Sequence, residues 1–205
     1  MTALVADPLR TAILDAALAA FTLEPVNRVK VAGIADAAHV SVGAIYHHFG
    51  DKEGLHAAVV ERLMEGLVEG RIRPVLRSDK PPSEKLIDAT CAYVRFFESE
   101  PDNFRLLAEV QHDAAQSENA LRFRRSTMRM VTSLLAETID VARAGQAAGE
   151  LRTAPPGEQV LLIWASIYGL CALSQRFPSP VEGAAGRPNL EEVAVGLVHL
   201  ALMAD

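Results

Sequence analysis

The stretch VSVGAIYHHFGDKEGL, residues 40–55, contains four side chains that can bind a metal or transfer protons: Tyr46, His47, His48 and Asp51. Successive side chains of a helix point about 100° apart, so the adjacent histidines cannot easily share one ion. Elsewhere in the sequence no paired carboxylates, nucleophile with its base or metal-ligand spacing indicates an enzyme. We therefore predict no catalytic centre, metal site or cofactor, and expect these rings to face a partner outside the protein.

The composition predicts a protein of the cytoplasm. Half of the 205 residues are apolar, which is enough for a sizeable core. Cys91 and Cys171 belong to no thiolate or zinc motif, and the N-terminus carries no secretion signal. The longest apolar run, Val160 to Leu173, is shorter than the roughly 18 residues of a membrane span. We expect no membrane partner.

The net charge is −6, whereas proteins that bind polyanions usually carry excess Lys and Arg. The simplest argument for a nucleic-acid partner is therefore missing. A prediction of DNA binding must depend on the geometry of a motif.

The spacing of apolar residues is helical nearly everywhere and predicts an all-α fold of about nine helices. Asp7 with Pro8, Ser41 and Asp51 are typical of helix starts. The clearest linker is RIRPVLRSDKPPS, residues 71–83. We expect helices over 8–22, 31–38, from Ser41 to Gly50, from Asp51 to near Pro74, and over 83–99, 102–113, 117–147, 157–177 and 189–203.

The second and third predicted helices, braced by the first, are the parts of a helix-turn-helix. Ile45 and Phe49 lie four residues apart and predict the buried side of the third helix. The outward side then consists of Gly43, Ala44 and His47, with Tyr46 and His48 on its flanks. This surface has small side chains at one end and aromatic or imidazole rings at the other. The small side chains allow a close approach to a DNA groove.

The segments ILDAALAAF and VAGIADAAHVSVGAIYHHFGDKEGL, within about residues 10–60, resemble the DNA-binding domain of the tetracycline-repressor-like (TetR) transcriptional regulators. An I-A-x-x-A-x-V-S turn, a Y-x-H-F helix and an acidic-Lys-Glu helix start occur at the family's spacings. The resemblance implies a helix-turn-helix domain over 1–52 and a ligand-binding and dimerisation domain over 53–205. By position, it implies base contacts from Val42, Gly43, Ala44 and Tyr46 and phosphate contacts from His47, His48 and Lys52.

The third helix, which would enter the groove, is called the reading helix. The predicted DNA-binding set is completed by Ser41, which caps this helix, and by Lys30. Lys30 stands where the family usually has Ser or Thr, so a helix cap is lost while a cation that can reach a phosphate is gained. His39 occupies a turn position often filled by Gly, which His tolerates at positive φ. Lys52 lies in the first turn of the fourth helix, where we expect it to act with the free N–H groups on one phosphate.

Val42 and Ala44 replace side chains that are commonly polar in the family. Tyr46 is then the one strong hydrogen-bonding group among the four residues predicted to face bases. We therefore expect recognition by apolar contact with thymine methyl groups and by DNA shape. On the fourth helix, we expect His56 at the surface.

The C-terminal region is predicted to dimerise. Ala165, Gly169 and Ala172 form a smooth stripe on an apolar helix, and the last helix, with Leu197 and Leu200, has the same character. Two such helices bury surplus apolar surface by pairing with a second copy in a four-helix interface, as the resemblance also implies. Two reading helices roughly 34 Å apart would then meet a palindromic site on double-stranded DNA.

The resemblance also implies a pocket for a small-molecule effector in this region, although packing alone explains its aromatic residues equally well. The candidate lining residues are Tyr93, Phe97, Phe104, His112, Trp164 and Tyr168. We expect a homodimeric, ligand-responsive regulator, most simply a repressor that the effector releases from DNA. The alternative is a helical partner-binding adaptor or small-molecule carrier whose helix-turn-helix no longer reads DNA.

Overall fold

The computed structural model describes residues 7–112, 117–176 and 189–203, apart from the side chains of residues 104, 108–112 and 176. It confirms the all-α prediction, with one isolated β-bridge, between Leu151 and Met203, in the described ranges. The helices are α1 (Pro8–Leu23), α2 (Val31–Ala37), α3 (Val42–Phe49), α4 (Lys52–Leu67), α5 (Arg73–Leu76), α6 (Pro82–Ser99), α7 (Pro101–His112), α8 (Glu118–Ala147), α9 (Pro156–Arg176) and α10 (Leu190–Leu202).

The helix starts follow their capping residues. Asp7 Oδ1 accepts a hydrogen bond from the Leu9 N–H at 3.0 Å, and Pro8 takes the first position of α1. Ser41 Oγ accepts from the Ala44 N–H at 3.1 Å, which begins α3 one residue later. Each cap satisfies an N–H that the helix itself leaves without a partner.

The helix predicted from Asp51 to near Pro74 is not one continuous α-helix. A π-helical turn over Val68–Ile72 follows α4 and leads directly into α5, so the chain stays helical to Leu76. The π turn changes the hydrogen-bond register, and Pro74 then lies at the start of α5, where its missing N–H costs little. The predicted linker at 71–83 shrinks to the residues between Leu76 and Pro82.

The chain divides into two compact units. Residues up to Glu65 form the first unit together with Asp102–Arg129, and Gly66–Pro101 form the second with the residues from Met130 onward. This packing division differs from the predicted boundary at residue 52, because Leu55 and Val59 of α4 are fully buried in the core of the first unit.

The core of the first unit joins the helix-turn-helix to parts of α4, α7 and α8. Leu106 of α7 and Phe123 of α8 pack in the same cluster as the buried face of α1. Each fully buried Leu, Ile or Phe in it contributes about 1.5–3 kcal/mol. The cluster includes Ile13, Leu14, Ala17, Phe21, Ile34, Ala35, Ile45, Phe49, Leu55, Ala58 and Val59.

In the second unit, α10 packs against α6 and α9 around a core that contains Leu86, Ala142, Leu151, Val160, Val198 and Leu202. Arg73 is a charged residue that is buried in this unit. The Arg73 guanidinium pairs with Glu69, its Nε lies 2.8 Å from Glu137 Oε1, and its Nη2 donates to Ser133 Oγ at 3.2 Å. These partners offset the cost of taking the arginine out of water.

Candidate nucleic-acid interface

Helix α3 has one buried and one exposed side. Ile45 and Phe49 are fully buried, whereas Tyr46 is 45% exposed and Val42 36% exposed. His47 and Gly43 are exposed as well. A Cβ built on Gly43 would meet only Ser41 Oγ, at 3.7 Å, so the backbone there is open to a close neighbour. The facing predicted from the spacing of Ile45 and Phe49 is confirmed.

The turn between α2 and α3 has the predicted backbone. His39 adopts φ 55°, in the left-handed region, and the Val40 N–H donates to the Ala35 carbonyl at 3.0 Å. Lys30 precedes α2 without a side-chain capping bond, as expected from the loss of Ser or Thr. Its side chain is exposed.

His47 and His48 have different surroundings. Their rings meet edge to face with centroids 5.5 Å apart. His48 is half-buried, and its Nδ1 lies 4.0 Å from Oδ2 of Asp7, the cap of α1, whereas His47 is exposed. His47 is therefore the more accessible of the two histidines predicted to contact phosphates.

Lys52 is engaged within the first unit. Its ammonium donates to the carbonyls of Asn27 at 3.1 Å and Val29 at 3.3 Å, in the loop between α1 and α2. The adjacent Asp51 carboxylate already accepts from the Gly54 N–H in the first turn of α4. The Lys52 ammonium is thus already paired in this structure, and its action with the helix N–H groups on one phosphate stays a prediction.

Asp51 lies at the start of α4, as predicted, and it has further partners, not predicted from the sequence, in Ser117 just before α8 and Asn119 on α8. Asp51 Oδ1 accepts from the Gly54 N–H at 2.7 Å and from Ser117 Oγ at 3.1 Å, and Oδ2 accepts from Asn119 Nδ2 at 2.9 Å. Partial burial opposes ionisation of Asp51, but these hydrogen bonds outweigh it and hold its pKa below the ordinary value. The carboxylate is thus a fixed junction between the α3–α4 turn and the start of α8.

A second missed contact joins α7 to the end of α1. Arg105 Nη2 donates to the carbonyls of Phe21 at 3.1 Å and Thr22 at 2.8 Å, where α1 leaves carbonyls without helical partners. His56, expected at the surface, is buried, with its ring edge-on to Phe21 at 5.2 Å. The helix-turn-helix is therefore held from several sides.

Residues 13–59, which contain this interface, match the model of the family described as bacterial regulatory proteins, tetR family. This region therefore belongs to the TetR family. A curated relative, the HTH-type transcriptional activator FasR of Mycolicibacterium smegmatis, is 33% identical over 103 residues, covering 50% of this chain and 47% of FasR. The chain thus matches about half the length of that relative.

Solved TetR-type structures share the fold. SmeT, the repressor of the Stenotrophomonas maltophilia multidrug efflux pump SmeDEF, has a TM-score of 0.72 and 21% identity, with 96% of this chain and 91% of SmeT covered. FadR of Bacillus subtilis in complex with stearoyl-CoA has a TM-score of 0.70 and 18% identity, with 93% and 96% covered. At these identities the likeness establishes the architecture alone.

In the second unit, four of the predicted effector residues come together. The Tyr93 and Phe97 rings meet with centroids 4.5 Å apart, and Trp164 donates a hydrogen bond to the Tyr93 phenol, which also interacts with Tyr168. Burial raises the pKa of Tyr93, and it raises that of the nearby Cys171 thiol to about 12. The phenol and the thiol are therefore neutral at physiological pH.

The other two predicted effector residues, Phe104 and His112, have side chains outside the described residues. Their backbone positions in α7 belong to the first unit. Their part in an effector site stays a prediction.

The predicted dimer residues lie on a surface of the second unit that is rich in apolar groups. Ala165 is exposed, Gly169, Ala172 and Leu197 are half-buried, and Leu200 is 74% exposed. Further exposed apolar side chains on α9 and α10 are Leu161, Leu162, Leu173 and Val193. These two adjacent helices thus each expose several apolar side chains.

Helix α9 has the length that was predicted for it, and its apolar run lies in its middle. Within the described residues it is the one helix whose length and hydropathy would allow it to cross a membrane, over Pro156–Gln175 with a mean hydropathy of 1.3. Val160, Ile167 and Cys171 on its other side are buried in the second unit. One face of α9 is therefore already covered by protein.

Proposed function

We propose that this TetR-family protein is a homodimeric transcriptional regulator that binds a palindromic operator through α3 and is controlled by a small-molecule effector in the second unit. The proposal depends on one observation, which is that α3 has one side buried in the protein and one side exposed. Its buried Ile45 and Phe49 anchor the helix, while Val42, Gly43 and Tyr46 remain accessible to a major groove.

DNA binding by an acidic chain requires local contacts, since the net charge of −6 opposes it at long range. Lys30, just before α2, and His47, on α3 itself, are exposed and can approach phosphates. A two-fold dimer doubles each contact, and each neutralised phosphate steepens the salt dependence of binding by about 0.9 log units. Affinity should therefore fall sharply with added salt.

Dimerisation through α9 and α10 would cover the apolar face that contains Leu161, Leu173 and Leu200. Exposed apolar patches of this kind mark interaction surfaces in soluble proteins. A partner helix pair fits better than a lipid bilayer, because α9 already buries Val160 and Ile167 in its own unit. The same face on a second copy makes a self-complementary, two-fold interface.

Effector control would use the aromatic cluster of Tyr93, Phe97, Trp164 and Tyr168. Neutral aromatic side chains with a few polar atoms suit a small, largely apolar ligand. By linkage, such a ligand releases DNA only as far as it prefers the protein conformation that does not bind DNA.

We propose repression as the sign of regulation, because a dimer that merely covers its operator excludes polymerase without a further contact. The relative FasR is named an activator and SmeT a repressor, so both signs occur on this fold. A promoter–reporter fusion with and without the protein measures the sign directly.

The proposal is tested by gel shift at low salt with DNA from around the protein's own gene, followed by footprinting. We expect a protected palindrome whose half-site centres lie about one helical turn apart. A thermal-shift screen of small apolar compounds, each then added to the gel shift, identifies the effector. Absence of any shift at low salt would instead favour the adaptor or carrier.

A further inference from the structure

We infer that Ser117 and Asn119, at the start of α8, are positioning residues that set the orientation of the reading helix through Asp51. The inference depends on the proposed function of α3. It goes further by assigning control of DNA affinity to side chains outside the helix-turn-helix and about 70 residues later in the sequence.

Asp51 closes the turn that follows α3 and receives hydrogen bonds from both sides. The Gly54 N–H of α4 donates at 2.7 Å, and Ser117 Oγ and Asn119 Nδ2 donate at 3.1 and 2.9 Å. The Ser117 N–H in turn donates to Glu53 Oε2 at 3.0 Å. The carboxylates of Asp51 and Glu53 thus both accept hydrogen bonds from the short segment 117–119.

The fit around this contact is close. Gly50 ends α3 at φ +81°, and a Cβ on it would lie 2.2 Å from Asn119 Nδ2. A Cβ on Gly54 would lie 2.2 Å from the Phe49 carbonyl and 2.9 Å from Asn119 Cβ. Asn119 therefore fills the space above a turn that only glycines can form.

The contact acts on a helix of only 8 residues. So short a helix is held mainly by what packs around it. The Gly50 N–H donates to the Tyr46 carbonyl at 2.8 Å, and Phe49 packs against Phe123 of α8 with ring centroids 6.4 Å apart. The start of α8 therefore fixes the end of α3, and with it the direction of Tyr46.

The test is a charge swap. Asn119→Asp places a second carboxylate against Asp51, so the turn is pushed open, and Asn119→Ala removes the bond. In the double variant Asp51→Asn with Asn119→Asp, the new amide donates to the new carboxylate and still accepts from Gly54 and Ser117. Asn189→Asp is the matched control, because Asn189 caps α10 in the second unit and the change adds the same charge there.

Each variant is titrated with the footprinted DNA fragment and with a scrambled duplex, at a temperature where thermal melts show every variant to be folded. We expect Asn119→Asp to lower affinity for the fragment about tenfold and to change scrambled binding little. The double variant should recover to near wild type, and Asn189→Asp should match wild type on both duplexes.

Hydrogen exchange gives a readout that needs no DNA. The Gly50 amide should exchange faster in Asn119→Asp and return to the wild-type rate in the double variant. Equal specificity ratios for wild type and Asn119→Asp, or no recovery in the double variant, would overturn the inference. Should the wild type bind no fragment at all, the proposed function fails, and unchanged Gly50 exchange would overturn the positioning role separately.

Discussion

Tyr46 and Phe49 lie on the same two-turn helix but differ in burial: Phe49 is fully buried, and Tyr46, on the flank of the outward side, is 45% exposed. Phe49 packs in a core shared with α1, α2, α4, α7 and α8. The Tyr46 ring projects from that anchored helix together with Val42. A rigid support behind an accessible ring is the arrangement that recognition of a DNA groove requires.

Removing the Tyr46 hydroxyl should weaken specific binding. In Tyr46→Phe we expect the affinity for the operator to fall about fivefold per half-site, because one base-facing hydrogen bond is lost. Fluorescence anisotropy with operator and scrambled duplexes measures the effect, and the scrambled duplex serves as the control. Equal losses on both duplexes would mean that Tyr46 contacts the phosphate backbone and not a base edge.

Adding a cation at position 42 should strengthen binding that does not depend on the base sequence. Val42→Lys is expected to tighten binding to scrambled DNA and to steepen its salt dependence by about 0.9 log units for each added phosphate contact. Titrations at several salt concentrations give the slope. An unchanged slope and unchanged affinity on both duplexes would show that position 42 does not approach DNA.

Disrupting the apolar face of α9 and α10 should separate the dimer. Leu200 is 74% exposed on α10, and Leu200→Asp would place a charge in the middle of the proposed interface. We expect light scattering to report a monomer and operator binding to be lost. Leu23→Asp is the matched control, because Leu23 is 84% exposed at the end of α1 and should leave the mass unchanged. A dimer in both variants would place the interface elsewhere.

Asp51 should make the stability of the protein depend on acid pH. Because its pKa is lowered in the folded state, the carboxylate contributes stability above its unfolded pKa of about 4, and this contribution disappears as the pH falls through the folded value. The difference in unfolding free energy between wild type and Asp51→Asn should therefore be constant near neutrality and shrink below about pH 4. Urea unfolding across this range measures it. A difference that does not vary with pH would contradict the ionised junction.

Local signals in the sequence predicted the helices within a residue or two. Asp7, Pro8 and Ser41 determine helix starts through contacts with the next few residues, so their effect can be recognised without the fold. The spacing of Ile45 and Phe49 predicted the buried side of α3 for the same reason. The exception was Pro74, where a π turn shifts the register and permits a proline that would otherwise end the helix.

Such local signals do not predict contacts between residues that are far apart in the sequence. Nothing near Asp51 indicates that Ser117 and Asn119 donate to it, and nothing near Lys52 indicates that its ammonium turns to the Asn27 carbonyl. The burial of His56 likewise depends on Phe21 in another helix. These contacts determine how firmly the candidate interface is held, and they follow from packing.

The central claim, that the exposed side of α3 enters a DNA groove, is tested most directly by cleavage from a tethered reagent. Cys91 and Cys171 are buried, so Val42→Cys offers a single accessible thiol among the described residues for an iron chelate. We predict strand cleavage within each half-site, in two clusters about one helical turn apart. Operator binding without cleavage near either half-site would contradict the account.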